Sequence, residues 1–277
     1  MTEDIVELIS VVREAGKIVM AYRRDGFSVG TKADALDYVT DADRESDRFL
    51  SAAIRERFPG DAILTEETEL RPTDYHGRVW MIDPLDGTRH FVEGSDGFSV
   101  MIGLAIDGRP EIGIVHDPVL DATYFAKRGE GAFRKNGDGP AQRLFVSRTG
   151  QVEGMTLVER TSKGEDRPID RLVETLGIGK RISGASTGLK IAYVAEGIAD
   201  AVFNSNPRAM KWDFCAAQVI LEEAGGCITG FDGAPLDYLV PDERFSALTL
   251  ASNGILHEDL LARLRDFALI RTDTHIL

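Results

Sequence analysis

Six oxygen-bearing side chains could carry chemistry in this chain: Asp43, Glu66, Asp83, Asp86, Thr88 and Asp213. Asp83 and Asp86 stand three residues apart in Trp80-Met-Ile-Asp83-Pro-Leu-Asp86-Gly-Thr88-Arg-His-Phe91. Pro84 fixes φ and lacks an N–H, and Gly87 tolerates almost any φ. The apolar run Val79 to Ile82 therefore reads as a buried strand that stops in a tight, rigid turn. That turn brings two carboxylates close enough to face one hard cation, with the Leu85 carbonyl between them. Carboxylates gathered in one place repel one another, and a divalent metal relieves the repulsion. An all-oxygen ligand set suits Mg²⁺ or Mn²⁺ rather than zinc.

The elements that must position these residues end where the residues stand. Tyr38-Val-Thr40-Asp41-Ala-Asp43 leads into a helix with Phe49, Leu50, Ala53 and Ile54 on one face, stopped by Phe58-Pro59-Gly60. Asp41 or Asp43 reads as its N-cap. Ala62-Ile-Leu64 reads as a strand, with Glu66 and Glu67 leaving its C-terminal end. Trp212-Asp213 opens a helix that runs to about Ala224 and stops at Gly225-Gly226. In mixed α/β folds, ligands gather at such edges.

The rest of the chain supplies the frame. Ile5, Leu8, Ile9, Val12, Ala15, Val19 and Tyr22 predict an amphipathic helix over residues 4–22. Gly26 to Asp37 reads as a polar, turn-rich stretch with one basic residue, Lys32. Phe98 to Ile106, Glu111 to His116 and Ala122 to Ala126 predict an antiparallel meander. Gly-rich Asn136 to Gln142 is the best boundary, dividing the chain into residues 1–142 and 143–277. Beyond it, Leu144 to Val146, Met155 to Val158, Ala199 to Phe203, 227–231 and 247–251 read as strands. Helices are expected at Asp166 to Leu176, Leu189 to Glu196 and His257 to Ala268. This order alone supports an α+β fold in two halves.

Composition excludes several classes. The 277 residues carry a net charge of −14, which disfavours nucleic acid and anionic membranes as partners. No 18-residue apolar run is present, so no transmembrane helix is expected. The start, Met-Thr-Glu-Asp, has no basic stretch, so a signal peptide is not expected and a cytoplasmic location is. Cys215 and Cys227 form no Cys-x-x-Cys and read as thiols in a reducing compartment. The five histidines show no ligand spacing. Gly184-Ala-Ser-Thr-Gly188-Leu-Lys190 has the wrong spacing for a Walker A loop, but its glycines would let backbone N–H groups meet an anion at a helix start.

Asp83-Pro-Leu-Asp86-Gly-Thr88-x-x-Phe91, Glu66-Glu67 upstream and Trp212-Asp213 before an Ala-rich helix resemble the inositol monophosphatase family. The resemblance runs from Lys32 to the last strand. It implies a layered αβαβα sandwich, a homodimer, and a lithium-sensitive phosphatase that uses two or three Mg²⁺ ions on a small phosphomonoester. Carried over by position, it makes Asp43, Thr88 and Glu66 catalytic. Glu66, Asp83 and the Leu85 carbonyl would hold a first ion, and Asp83, Asp86 and Asp213 a second. Asp43 and Thr88 would orient the attacking water, with Asp43 near a third ion. The Gly87 and Thr88 N–H groups would hold the phosphate.

One segment departs from the family pattern. Where inositol monophosphatases carry a glutamate for the inositol hydroxyls, Phe203 to Lys211 has none and offers Arg208 and Lys211. Leu189-Lys190 before Val-Ala-Glu-Gly is similar to the 3′(2′),5′-bisphosphate nucleotidases. Lys190, Arg208 and Lys211 are therefore the expected substrate cations, and 3′-phosphoadenosine 5′-phosphate is favoured over inositol 1-phosphate. A sugar bisphosphatase and a non-catalytic metal-binding relative are the alternatives.

Overall fold

The computed structural model describes residues 3–31, 38–68, 71–159, 168–204, 206, 209–245 and 248–271. Helix α1 (Glu3–Asp25) buries Ile5, Leu8, Val12, Ala15 and Val19 as one stripe. An antiparallel hairpin of β1 (Val29–Thr31) and β2 (Tyr38–Thr40) follows, where only turns were expected. Strand β2 feeds directly into α2 (Asp41–Arg57), and Thr40 is the N-cap rather than either aspartate. Its Oγ1 accepts from the Ala42 N–H at 3.2 Å.

A seven-stranded sheet comes next. Its strands lie side by side in chain order: β3 (Ala62–Thr65), β4 (Arg78–Asp86), β5 (Ser99–Ile106), β6 (Arg109–Asp117), β7 (Ala122–Lys127), β8 (Gly131–Asn136) and β9 (Gln142–Arg143). The short helix α3 (Thr88–Val92) links β4 to β5. Only β3 and β4 pair in parallel; every other pair is antiparallel. The expected meander is thus present and two strands longer. Leu144 to Val146 is not a strand. The Leu144 N–H donates to Ala132 in the first sheet and the Val146 N–H to Ala224, so the segment crosses between layers and builds no ladder.

A five-stranded sheet follows. Its elements in chain order are β10 (Thr156–Glu159), α4 (Pro168–Thr175), β11 (Lys180–Ser183), α5 (Thr187–Ala195), β12 (Ala201–Asn204), α6 (Lys211–Glu223), β13 (Cys227–Gly230), β14 (Thr249–Ser252) and α7 (His257–Arg271). The strand order is β11-β10-β12-β14-β13.

Period-two alternation divides the core into three. Trp80, Ile82, Val100, Ile102 and Leu104 face α1 and α2. Val79, Met81, Met101 and Ala105 face α5, α6 and one side of the second sheet. The other side of that sheet, with Leu157, Ala201, Phe203 and Leu250, packs on α4 and α7. The result is the layered αβαβα sandwich. Two strand glycines set how closely α6 lies on the first sheet. A Cβ at Gly113 would stand 2.0 Å from the Ala216 carbonyl oxygen, and one at Gly103 would stand 2.7 Å from Cys215 Sγ. Neither side chain could be accommodated without moving α6.

Candidate active site

Strand β4 does not stop at Asp83. Asp83 pairs with Met101 and Asp86 with Ser99, so one extra residue is taken up between them as a β-bulge. Pro84 is tolerated there because a bulge leaves a ladder position unpaired. Within the bulge the Leu85 N–H donates to Asp83 Oδ1 at 3.1 Å. From α2, Ser46 Oγ donates to the Pro84 carbonyl at 2.8 Å and pins the bulge to the helix that carries Asp43. Gly87 then has φ of +89°, a left-handed conformation that opens α3 at Thr88.

Asp43 and Thr88 meet across this junction. Thr88 Oγ1 lies 3.0 Å from Asp43 Oδ1 and 3.1 Å from the Leu85 carbonyl oxygen. The other Asp43 oxygen accepts from the Thr40 N–H at 2.8 Å and from Thr40 Oγ1 at 2.6 Å. Asp43 is fully buried. Burial outweighs these donors and, aided by the charge of Glu67, pushes its carboxyl up to about 6.

Asp86 is held from the second half of the chain. The N–H groups of Thr187 and Gly188 donate to it at 3.2 and 2.7 Å, and Ser99 Oγ lies at 3.2 Å. The anion expected at the start of α5 is therefore the protein's own carboxylate. A Cβ at Gly188 would stand 2.2 Å from Met101 Sδ, so glycine permits this approach. Ser186 Oγ lies 2.9 Å from Ser99 Oγ and extends the support.

Asp213, in the first turn of α6, accepts from the Met210 N–H at 2.7 Å. Its carboxyl is raised well above the usual range, chiefly by burial, then by the charge of Asp86 and further by that of Glu66; Lys190 opposes the shift. Glu66 leaves β3 beside β4, its N–H donating to the Ile82 carbonyl at 3.3 Å. Arg71 braces this side. Its guanidinium donates to the Thr65 carbonyl at 2.6 Å, pairs with Glu243 at 2.6 Å and stacks over Trp212. Arg71, Ser46 and Ser99 stand in no motif, and Thr40 and Ser186 lie in quoted segments without a role of their own; their contacts reveal them.

The expected substrate cations fare differently. Lys190 is buried on α5 and acts on Asp213. Lys211 points inward rather than toward solvent. It is fully buried, its Nζ donating to the Tyr238 and Val240 carbonyls and lying 3.7 Å from the centre of the Tyr75 ring. Its place in the first turn of α6, beside Trp212, turns it inward. Arg208, like Lys32, lies outside the described residues.

Among the described residues no three Asp, Glu, His or Cys side chains stand close enough together to enclose an ion. The donors nonetheless fit a hard divalent cation. They are all oxygen, and Asp86 and Glu66 both act electrostatically on Asp213. The Asp86 and Asp213 carboxylates rest on backbone N–H groups.

The chain is a layered αβαβα sandwich with acidic residues at the ends of β3 and β4 and at the starts of α2 and α6. A family model described as the inositol monophosphatase family matches residues 1–268. The chain belongs to that family, whose members are metal-dependent, and it is a phosphoric monoester hydrolase. A fructose-1,6-bisphosphatase/inositol-1-monophosphatase of Thermotoga maritima is 34% identical, over 91% of this chain and 92% of the relative. A histidinol-phosphatase of Mycobacterium tuberculosis is 33% identical, over 85% and 87%. The solved structure of a Thermotoga maritima IMPase superposes with a TM-score of 0.83 at 28% identity, covering 97% of this chain and 99% of that one.

Proposed function

We propose that the chain hydrolyses a small phosphomonoester with Mg²⁺, by direct attack of water and without a phosphoenzyme. The observation that carries this reading is the Asp43–Thr88 pair beside the β4 bulge, joined to carboxylates that act on one another through space. Glu66, Asp83 and the Leu85 carbonyl would hold one ion; Asp83, Asp86 and Asp213 would hold another. Such ions neutralise the substrate dianion, acidify water and stabilise the leaving alkoxide. The protein's part is orientation. Asp43 accepts the Thr88 hydroxyl proton, which turns the Thr88 oxygen toward water as an acceptor. Asp43 is the base of the pair, and the Gly87 and Thr88 N–H groups hold the phosphate. Much of the acceleration then comes from positioning and charge.

For substrate, we favour 3′-phosphoadenosine 5′-phosphate, on the Phe203 to Lys211 segment without a glutamate. The inward Lys211 favours a second reading, inositol 1-phosphate, because it removes one cation from the substrate mouth. We also take the chain to be a homodimer, which sedimentation velocity tests. The decisive experiment is phosphate release by purified protein, with Mg²⁺ and with excess chelator, from 4-nitrophenyl phosphate. A panel of 3′-phosphoadenosine 5′-phosphate, inositol 1-phosphate, histidinol phosphate and fructose 1,6-bisphosphate follows. Full activity after exhaustive chelation overturns the metal reading. A higher kcat/KM for inositol 1-phosphate than for the nucleotide overturns the substrate preference.

A further inference from the structure

A cleft of about 380 Å³ lies along α2, lined by Arg44, Arg48, Arg55 and Ser51 on the helix and by Glu67 and Thr68 opposite. Spacings of four and seven residues place the three arginines on one helical face. Three cations on one stripe repel one another, and the chain as a whole is strongly acidic. Local pairs relieve only part of this. Arg44 lies 3.6 Å from Asp41 and Arg48 pairs with Glu45, both within a helical turn. Such exposed pairs contribute little. Arg55 makes no ion pair among the described residues. Asp47, which also lines the cleft, accepts from Thr65 Oγ1 and adds one negative charge beside the three arginines.

Ser51 is the second observation. It is 4% exposed and lines the cleft, yet its Oγ has no hydrogen-bond partner. A buried hydroxyl without a partner carries the cost of its lost hydration, and a bound ligand that accepts its proton removes that cost. A donor hydroxyl beside guanidinium groups matches an anion with several acceptor oxygens.

The cleft adjoins the active site. Arg44 follows Asp43, and Glu67 follows Glu66 and acts electrostatically on Asp43. At about 1.5 Å per residue, Arg48 lies roughly 7 Å along the helix axis from Asp43.

We propose that this cleft on α2 binds a second phosphate group of the substrate, held by Arg44, Arg48, Arg55 and Ser51 while the first is hydrolysed. The proposal rests on the phosphomonoesterase reading. It assigns the chain to substrates that carry two phosphates. Glu67, on the facing wall, disfavours anions that do not reach the arginines.

The test compares wild type with Ser51→Ala and with the double variant Arg48→Gln/Arg55→Gln, at saturating Mg²⁺. Both arginines are exposed, so the double variant folds. For 3′-phosphoadenosine 5′-phosphate and fructose 1,6-bisphosphate, KM should rise at least tenfold in the double variant, with kcat unchanged. For 4-nitrophenyl phosphate neither constant should move. Ser51→Ala should raise KM for the bisphosphates about threefold without lowering Tm, since the hydroxyl makes no bond within the protein. An unchanged ratio of bisphosphate to monophosphate kcat/KM overturns the proposal, including where inorganic phosphate alone binds the cleft by calorimetry. If wild type hydrolyses nothing on the panel, the phosphatase reading fails separately. Calorimetry with 3′-phosphoadenosine 5′-phosphate in chelator then decides the cleft: tenfold weaker binding by the double variant supports it, and equal affinity overturns it.

Discussion

Replacing Asp213, which we propose as a metal ligand, tests chemistry apart from folding. Its carboxyl is held in a neighbourhood that penalises charge, facing Asp86 and Glu66. Asp213→Asn should lower turnover on the order of a hundredfold or more, because a fixed charge aimed at the reacting centre is lost. In chelator the same substitution should raise Tm, since it relieves repulsion. Turnover near wild type at saturating Mg²⁺ would contradict the role given to Asp213. His116 gives the opposite kind of test, one of stability alone. It is buried on β6, its Nδ1 3.0 Å from Thr123 Oγ1, and α1 makes room for its ring at Gly16. Burial lowers its pKa from 6.5 to about 4. As pH falls below 6.5 the unfolded chain takes up the proton first. The stability linked to His116 is therefore intact above 6.5 and lost as pH falls toward 4, by about 3 kcal/mol in total. Urea midpoints of wild type and His116→Gln between pH 7 and 4.5 should show the variant with the flatter decline. Parallel curves would assign acid sensitivity to other groups.

At the scale of elements, the site depends on how closely α6 approaches the first sheet. Gly113→Ala puts a methyl group against the Ala216 carbonyl, a backbone atom that cannot rotate away. Overpacking of this kind should cost about 2–3 kcal/mol. Because α6 also carries Asp213, kcat should fall with stability. A denaturation midpoint equal to wild type would mean that α6 shifts freely, and the packing argument would fail. Much at this scale could be read from residue order. Periodicity found α1, α2 and α6, and turn residues found the meander of β5, β6 and β7. The bulge in β4 could not be read, since Asp-Pro resembles a strand end until Asp86 is seen to pair with Ser99. Strands β1 and β8 carry a weak signal because they are short or turn-flanked and polar, even though each pairs with a near neighbour in the chain, β2 and β7. Leu144 to Val146 has strand composition but splits its hydrogen bonds between two layers.

For the whole molecule, the balance of charge makes metal binding a stability effect. A cation bound only by the folded chain stabilises it by mass action, about 2.7 kcal/mol at a hundred times Kd. Mg²⁺ should therefore raise Tm in a saturable way, and chelator should reverse the rise. Na⁺ at equal ionic strength should not reproduce it, because screening does not require a built site. A Tm indifferent to Mg²⁺ would argue against the carboxylate set as its ligands. Li⁺ should inhibit phosphate release at millimolar levels, as is typical of the family; insensitivity to Li⁺ would set this chain apart from that pattern. Among the described residues no helix is long and apolar enough to cross a membrane.

The sequence by itself determined the kinds of donor and the order of the elements that carry them. Hard carboxylate oxygens at the ends of apolar runs, and a hydroxyl just beyond Asp86, are properties of residue type and spacing. They indicate oxygen-ligand metal chemistry without any knowledge of what lies opposite. Only the tertiary structure decided which charges gather around the carboxylates and which are spent on the frame. Lys211 and Lys190 look alike in sequence, yet one is fixed on the carbonyls of Tyr238 and Val240 and the other acts on Asp213. The Asp86 carboxylate meets amides 101 and 102 residues away. The arginine stripe of α2 reads as an ordinary solvated face until Glu67 and Thr68 are folded against it. The physical reason is the same in each case. A side chain's charge has meaning only relative to the groups within a few ångströms of it, and those groups come from distant parts of the chain.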